Sequence, residues 1–189
     1  MTFLDIKEAA ESLQHCNIIA YPTETVYGIG GNPFCNKIFY KLKKIKKREN
    51  EQFILLLPDK KWVKTLTEDI SEKAFRLMEN FWPGPLTIIF KKKSSLIELP
   101  GKTVALRISP HKTLTELFQH YYNPLISTSA NISGKPPAVS YSQIKNYFNN
   151  NINILKGESY NKKPSTIYDS INDRIIRHGD ISENEIKKT

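Results

Sequence analysis

The chain predicts an α/β fold with a mixed sheet flanked by helices. Short apolar runs that end at proline, glycine or polar residues alternate with stripes of helical period, and no repeat, low-complexity tract or linker interrupts them. With 189 residues, of which 39% are hydrophobic, there is material for one substantial core and little room for a second, so residues 1–189 read as a single domain.

In chain order, Ile6, Ala9, Ala10 and Leu13 recur at helical spacing, and Asn17-Ile18-Ile19-Ala20 reads as a strand that stops at Pro22. Ile38, Leu42 and Ile45 form the next helical stripe, with Asn36 as its N-cap, and Phe53–Leu57 before Pro58 reads as a buried strand. Ser71 opens a helix through Ala74, Leu77, Met78 and Phe81. Trp82-Pro83-Gly84-Pro85 breaks it, because proline cannot continue a helix and Gly84 permits a sharp turn. Strands Leu86–Phe90 and Val104–Ile108 follow, then a helix marked by Leu114, Leu117, Phe118 and Tyr121. Leu125–Ser129 is a strand that runs into the loop Asn131–Pro137, and Ser140–Phe148 is helical. Strands Ile152–Leu155, Thr166–Asp169 and Arg174–Arg177 complete the pattern.

No run of eighteen apolar residues and no basic, then apolar, leader is present, so a membrane span and a signal peptide are not expected and the address reads as cytoplasmic. The two cysteines, Cys16 and Cys35, form no CxxC, and with four scattered histidines they offer no zinc spacing; both read as small buried hydrophobes without chemistry. The net charge of +9 favours phosphorylated partners, nucleotide or RNA, by raising their local concentration.

Several polar strings could carry chemistry. Lys46 and Arg48 can converge on one anion only if the helix through Ile38, Leu42 and Ile45 ends near Lys46, because a continuous helix would turn them to opposite flanks. Ser127-Thr128-Ser129-Ala130-Asn131, at the carboxyl end of an apolar strand, would burden a core unless a polar ligand answers it, and Ser127 and Ser129 share a face. Tyr21–Gly31 combines hydroxyls, the Glu24 carboxylate and glycines that let backbone approach a ligand, without being a Rossmann fingerprint. Gly101-Lys102-Thr103 imitates the end of a P-loop, but Leu96 stands where the first glycine is required. Arg107 and Arg177 each end a strand where a sheet meets its ligand. No Ser-His-Asp, Cys-His or paired-carboxylate constellation is evident, so any catalysis works by positioning and charge stabilisation.

Taken together, YPTETVYGIG, the Lys46/Arg48 pair, WPGPLT, VALRI, STSANISGKPP and the PSTIYD to IIRHG ending resemble, in order and over nearly the whole chain, the YrdC/TsaC family of threonylcarbamoyl-AMP synthases in its short bacterial form. The resemblance implies a twisted, YrdC-like sheet with a basic concave face. It implies an enzyme that joins L-threonine, bicarbonate and ATP into threonylcarbamoyl-adenylate and pyrophosphate. A separate transferase complex then uses the adenylate to modify the adenosine beside the anticodon of tRNA.

It further implies that Lys46 and Arg48 face the phosphates and the reacting carbamate, and that Ser129, Asn131 and Arg177 serve the nucleotide. Thr25, Arg107 and one or both of Ser165 and Thr166 would grip threonine. Magnesium is expected with ATP, although no carboxylate pair identifies its ligands. The loop after Arg48 departs from the family pattern, running Glu49-Asn50-Glu51-Gln52; it loses a phosphate contact for which Asn50 or Gln52 can substitute. Direct contact with tRNA or double-stranded RNA stays open. The rival reading is an RNA-binding module without catalysis, which the absence of an RRM-type aromatic platform and of a GXXG clamp disfavours.

Overall fold

Alternating side-chain direction along the strands separates two cores, and the separation can be followed residue by residue in a computed structural model that describes residues 2–46, 53–132, 134–149, 151–160 and 163–189. The elements are β1 (Phe3–Leu4), α1 (Ile6–Gln14), β2 (Ile19–Tyr21), β3 (Gly28–Gly30), α2 (Ile38–Lys46), β4 (Ile54–Leu56), α3 (Lys61–Leu66), α4 (Glu72–Phe81) and β5 (Leu86–Lys91). There follow β6 (Thr103–Arg107), α5 (Lys112–His120), β7 (Leu125–Ser129), α6 (Tyr141–Phe148), β8 (Asn153–Leu155), β9 (Thr166–Asp169), β10 (Arg174–Arg177) and α7 (Glu183–Lys188). One mixed sheet takes the strands in the order β1-β8-β2-β3-β7-β4-β6-β5-β9-β10. None of the helices is long and apolar enough to cross a membrane among the described residues.

Ala20, Leu55, Leu106, Ile126, Ile154 and Tyr168 point to one face, where α2, α3, α4, α6 and α7 bury Ile38, Leu42, Val63, Leu77, Ile144 and Ile186 against them. Their neighbours Ile19, Tyr21, Leu56, Leu125 and Leu155 point to the other face, under Ala9, Ala10 and Leu13 of α1 and Leu114, Leu117 and Phe118 of α5. Only these two helices contribute to that second core among the described residues, so the far half of this face is left without a helical cover.

Local chemistry explains the helix ends. Asp5 and Glu8 form a reciprocal capping box on α1, as Ser182 and Glu185 do on α7, while Ser71 and Ser140 cap α4 and α6 through their hydroxyls. The expected cap at Asn36 is replaced: the residue before α2 is Lys37, in a left-handed conformation at φ 64°.

The cysteines differ from expectation. Cys16 and Cys35 are joined as a disulfide, with Cα atoms 5.6 Å apart. The reason lies in β3, which the glycines had marked as loop. It pairs antiparallel with β2, Ile19 opposite Gly30, and so returns the chain to the end of α1 where Cys16 lies. A glycine is required at position 30, because a Cβ there would sit 1.5 Å from the Ile126 carbonyl oxygen.

Candidate functional site

The uncovered half of the α1/α5 face carries the polar residues. On β7, Leu125 is buried beneath the helices, and Ser127 and Ser129, two and four residues on, share its direction and line a cavity of about 430 Å³. Strand register carries the parity sideways: Ser127 lies opposite Ile54, Ser129 opposite Gly28, and Leu56 opposite both Leu125 and Arg107. The cavity therefore gathers Gly28, Ile54, Ser127, Ser129 and Arg107 from four strands, and Thr23, Thr25 and Val26 from the β2–β3 connection complete one wall.

That connection is internally bonded. Thr23 Oγ1 donates to the Val26 carbonyl at 2.7 Å and lies 2.9 Å from Thr25 Oγ1; both threonines are buried. Between them Glu24 accepts from Arg107 Nη2 at 2.6 Å through Oε1 and, through Oε2, from the Ser109 hydroxyl. The guanidinium is 6% and the carboxylate 14% exposed, so this pair is largely shielded from water and each charge depends on the other. Arg107 Nη2 also reaches Thr25 Oγ1 at 3.4 Å, while its Nε is buried without a hydrogen-bond partner among the described residues. Behind this wall, the Tyr27 hydroxyl donates to the Gly157 carbonyl and Ser159 Oγ accepts from Thr23 N. Burial raises the Tyr27 phenol well above its ordinary pKa, so it remains a neutral donor.

Away from this wall, Lys46 is the last described residue of α2 and is not among the residues that line the cavity. Its Nζ donates to the Ser129 carbonyl at 2.7 Å, to the Asn131 carbonyl at 3.1 Å and to Asn131 Oδ1. Ser129 Oγ donates to the same Oδ1 at 2.7 Å, and Asn131 Nδ2 donates to the Lys135 carbonyl at 2.6 Å. An ammonium that is only 1% exposed needs such acceptors, and here they pin the turn after β7. Ser129 links the two, lining the cavity while its backbone oxygen holds Lys46.

The remaining candidates fall on both sides of the sheet. Ser165 lines the cavity, and Arg177 donates to its carbonyl through Nε at 3.0 Å and Nη2 at 2.9 Å, and to its hydroxyl at 3.1 Å. Burial of the Arg177 guanidinium, then the nearby charge of Arg107, lowers its pKa from the usual arginine value. Arg177 thus stands beside Arg107 rather than beside Lys46 and Asn131. Thr166 does not join the cavity. It pairs with Leu86 on the opposite face, and its hydroxyl donates to the Ile181 carbonyl and accepts from the Ile181 amide, tying down the segment before α7. One residue of parity separates it from Ser165. Arg48 and the Glu49–Gln52 loop lie outside the described residues.

Glu24, Ser109 and Thr23 are site residues that motif reading did not single out. Glu24 stood in a polar string, but its partner Arg107 is 83 residues away and nothing local announces the pair. Among the described residues no three His, Cys, Asp or Glu side chains gather as a metal site.

A family model, Sua5_yciO_yrdC (Telomere recombination), matches residues 11–179. The chain belongs to the Sua5/YciO/YrdC family. Within that family it is 38% identical over 178 residues to a Coxiella burnetii protein named threonylcarbamoyl-AMP synthase, spanning 91% of this chain and 96% of the relative. A protein of the same name from Pseudomonas syringae pv. syringae is 37% identical over 180 residues, 92% of this chain and 97% of the other. The crystal structure of P. abyssi Sua5 complexed with L-threonine superposes with a TM-score of 0.91 at 28% identity, over 100% of this chain and 60% of that longer one. E. coli YciO shares the fold, with a TM-score of 0.84 at 22% identity over 98% of each chain.

Proposed function

We propose that this protein is a threonylcarbamoyl-AMP synthase, which makes L-threonylcarbamoyladenylate and pyrophosphate from L-threonine, bicarbonate and ATP. One observation carries the reading: a polar cavity of about 430 Å³ with two arginines adjoins, through Ser129, a lysine-pinned Ser/Asn turn. A relative with this printed name, matched over 96% of its length, supports it.

In this reading the threonine carboxylate meets the Arg107 guanidinium, with Arg177 and Ser165 beside it. The amine condenses with bicarbonate-derived carbon dioxide to give a carbamate and needs no covalent nucleophile. A carbamate oxygen then forms a bond to the α-phosphorus of ATP as the bond from that phosphorus to pyrophosphate breaks. Lys46 provides a positive charge where negative charge grows, while its described contacts keep Ser129 and Asn131 in place for the adenylate. Arg48, two residues further along the sequence, is assigned to the phosphates, and magnesium enters with the nucleotide. The adenylate passes to a separate transferase that modifies the adenosine beside the anticodon of tRNA in the cytoplasm, and the whole chain serves as one YrdC-like domain.

The test is incubation of purified protein with labelled threonine, bicarbonate and ATP. Expected are a threonine-bearing adenylate on chromatography and stoichiometric pyrophosphate. Salt-sensitive RNA binding without ATP consumption would instead support the RNA-binding module.

A further inference from the structure

We propose that Thr23, which cannot turn its own hydroxyl to a ligand, sets the hydrogen-bond polarity of Thr25 and thereby selects an amino acid whose side chain carries an O–H donor. The inference rests on the threonine reading of the cavity and names a specificity-determining residue within it.

A hydroxyl has one proton to give and two lone pairs to receive with. The Val26 carbonyl, 2.7 Å from Thr23 Oγ1, can only accept, so the single Thr23 proton points there. The Thr25 amide donates to Thr23 Oγ1 at 3.1 Å and takes one lone pair. The two hydroxyl oxygens are 2.9 Å apart; with the Thr23 proton committed, the proton between them belongs to Thr25. Thr23 is then saturated, with one proton given and two received.

Thr25 is left with lone pairs only. One is approached by Arg107 Nη2 at 3.4 Å, in agreement with Thr25 acting as acceptor, and the other is available to the cavity that Thr25 lines. Thr23 Oγ1 meets all three of its partners within the connection itself, and that fixes the sense of the relay. Beside this acceptor stands a donor group, the Arg107 guanidinium, which also lines the cavity.

The cavity wall therefore presents a fixed pair: a cationic donor for a carboxylate oxygen and, next to it, an acceptor for a hydroxyl proton. A β-hydroxy amino acid answers both. A carboxylate oxygen or a fluorine against Thr25 would set lone pair against lone pair, and a methyl group would leave the buried oxygen unanswered. Thr23 does all of this without touching the ligand, so it is a positioning residue.

The test compares L-threonine with its isostere bearing fluorine in place of the hydroxyl, in wild type, Thr23→Val and Thr23→Ser. Wild type is expected to favour threonine in kcat/KM for bicarbonate-dependent pyrophosphate release by at least about 100-fold. In Thr23→Val the Thr25 hydroxyl is released to rotate, and the threonine-to-fluoro ratio is expected to shrink at least about tenfold; Thr23→Ser, which keeps the relay, restores it. An unchanged ratio in Thr23→Val, or an equal loss for both substrates, overturns the proposal, since a merely structural role would lower both alike. Should Thr23→Val not fold, wild type decides: equal use of the two amino acids overturns the relay. If wild type releases no pyrophosphate with threonine, the proposed function fails instead. Calorimetric binding of the two amino acids without ATP then tests the relay, which equal affinities would overturn.

Discussion

One face of the sheet is built in two ways. Beneath α1 and α5 it presents Ile19, Tyr21, Leu56, Leu125 and Leu155, dry and covered; beyond the helices it presents Ser127 and Ser129 of β7 and Arg107 of β6, polar and lining the cavity. Strand β7 crosses the boundary, so a single alternation of side chains serves packing at Leu125 and lines the cavity at Ser129. The site exists where the covering helices stop. Its polar groups are held by one another, through the Glu24–Arg107 pair and the Lys46–Asn131 turn, instead of by apolar packing.

Substitutions in the two halves are expected to separate function from stability. Lys46→Ala removes the charge and releases the Ser129–Asn131 turn, and adenylate formation is expected to fall by about 10³-fold, read as pyrophosphate release. Near wild-type turnover in that variant would abolish the distinction. Glu24→Ala leaves Arg107 and Arg177 as neighbouring like charges in the polar half. It is expected to cost about 3 kcal/mol in chemical denaturation and to raise KM for threonine more than KM for ATP. Leu125→Ala in the covered half is expected to cost about 3 kcal/mol through lost packing, with both KM values unchanged in the folded fraction.

Reduction of the disulfide opens a loop closed across 19 residues and is expected to lower stability by about 3 kcal/mol, followed as the urea midpoint with and without dithiothreitol. Protonation gives the smallest effect near neutrality. Burial is the largest cause that raises the phenols of Tyr21, Tyr27, Tyr121 and Tyr168 above the ordinary value of 10.0. A raised folded-state pKa means that this contribution is complete below pH 10 and is lost as pH climbs above it, because the unfolded chain gives up those protons first. The urea midpoint is expected to be level through pH 9 and to fall above pH 10, and less steeply in Tyr21→Phe.

Much of this was legible in the order of residues. The β7 serines announced themselves because four hydroxyl or amide groups at the end of an apolar strand have no business in a dry core. The expected end of α2 near Lys46 falls at the edge of the described residues, which carry the helix as far as Lys46. Three things were hidden for physical reasons. Gly28-Ile29-Gly30 has poor strand propensity and forms a strand through its pairing with β2 and β7, where Gly30 leaves no room for a side chain; with that strand unread, the meeting of Cys16 and Cys35 was invisible. Ser165 and Thr166 are chemically alike, and only register tells which faces the cavity. Glu24 gains its role from a partner on a distant strand, which no local pattern encodes.

Hydrogen–deuterium exchange, with and without threonine and ATP together, tests most directly whether the uncovered half of the face is where the substrates sit. Slowed exchange at Thr23–Gly28, Ser127–Asn131, the segment around Ser165 and the Lys46–Arg48 segment is the expected result. Slowing that bypasses these segments, or that falls on α1 and α5, would contradict it.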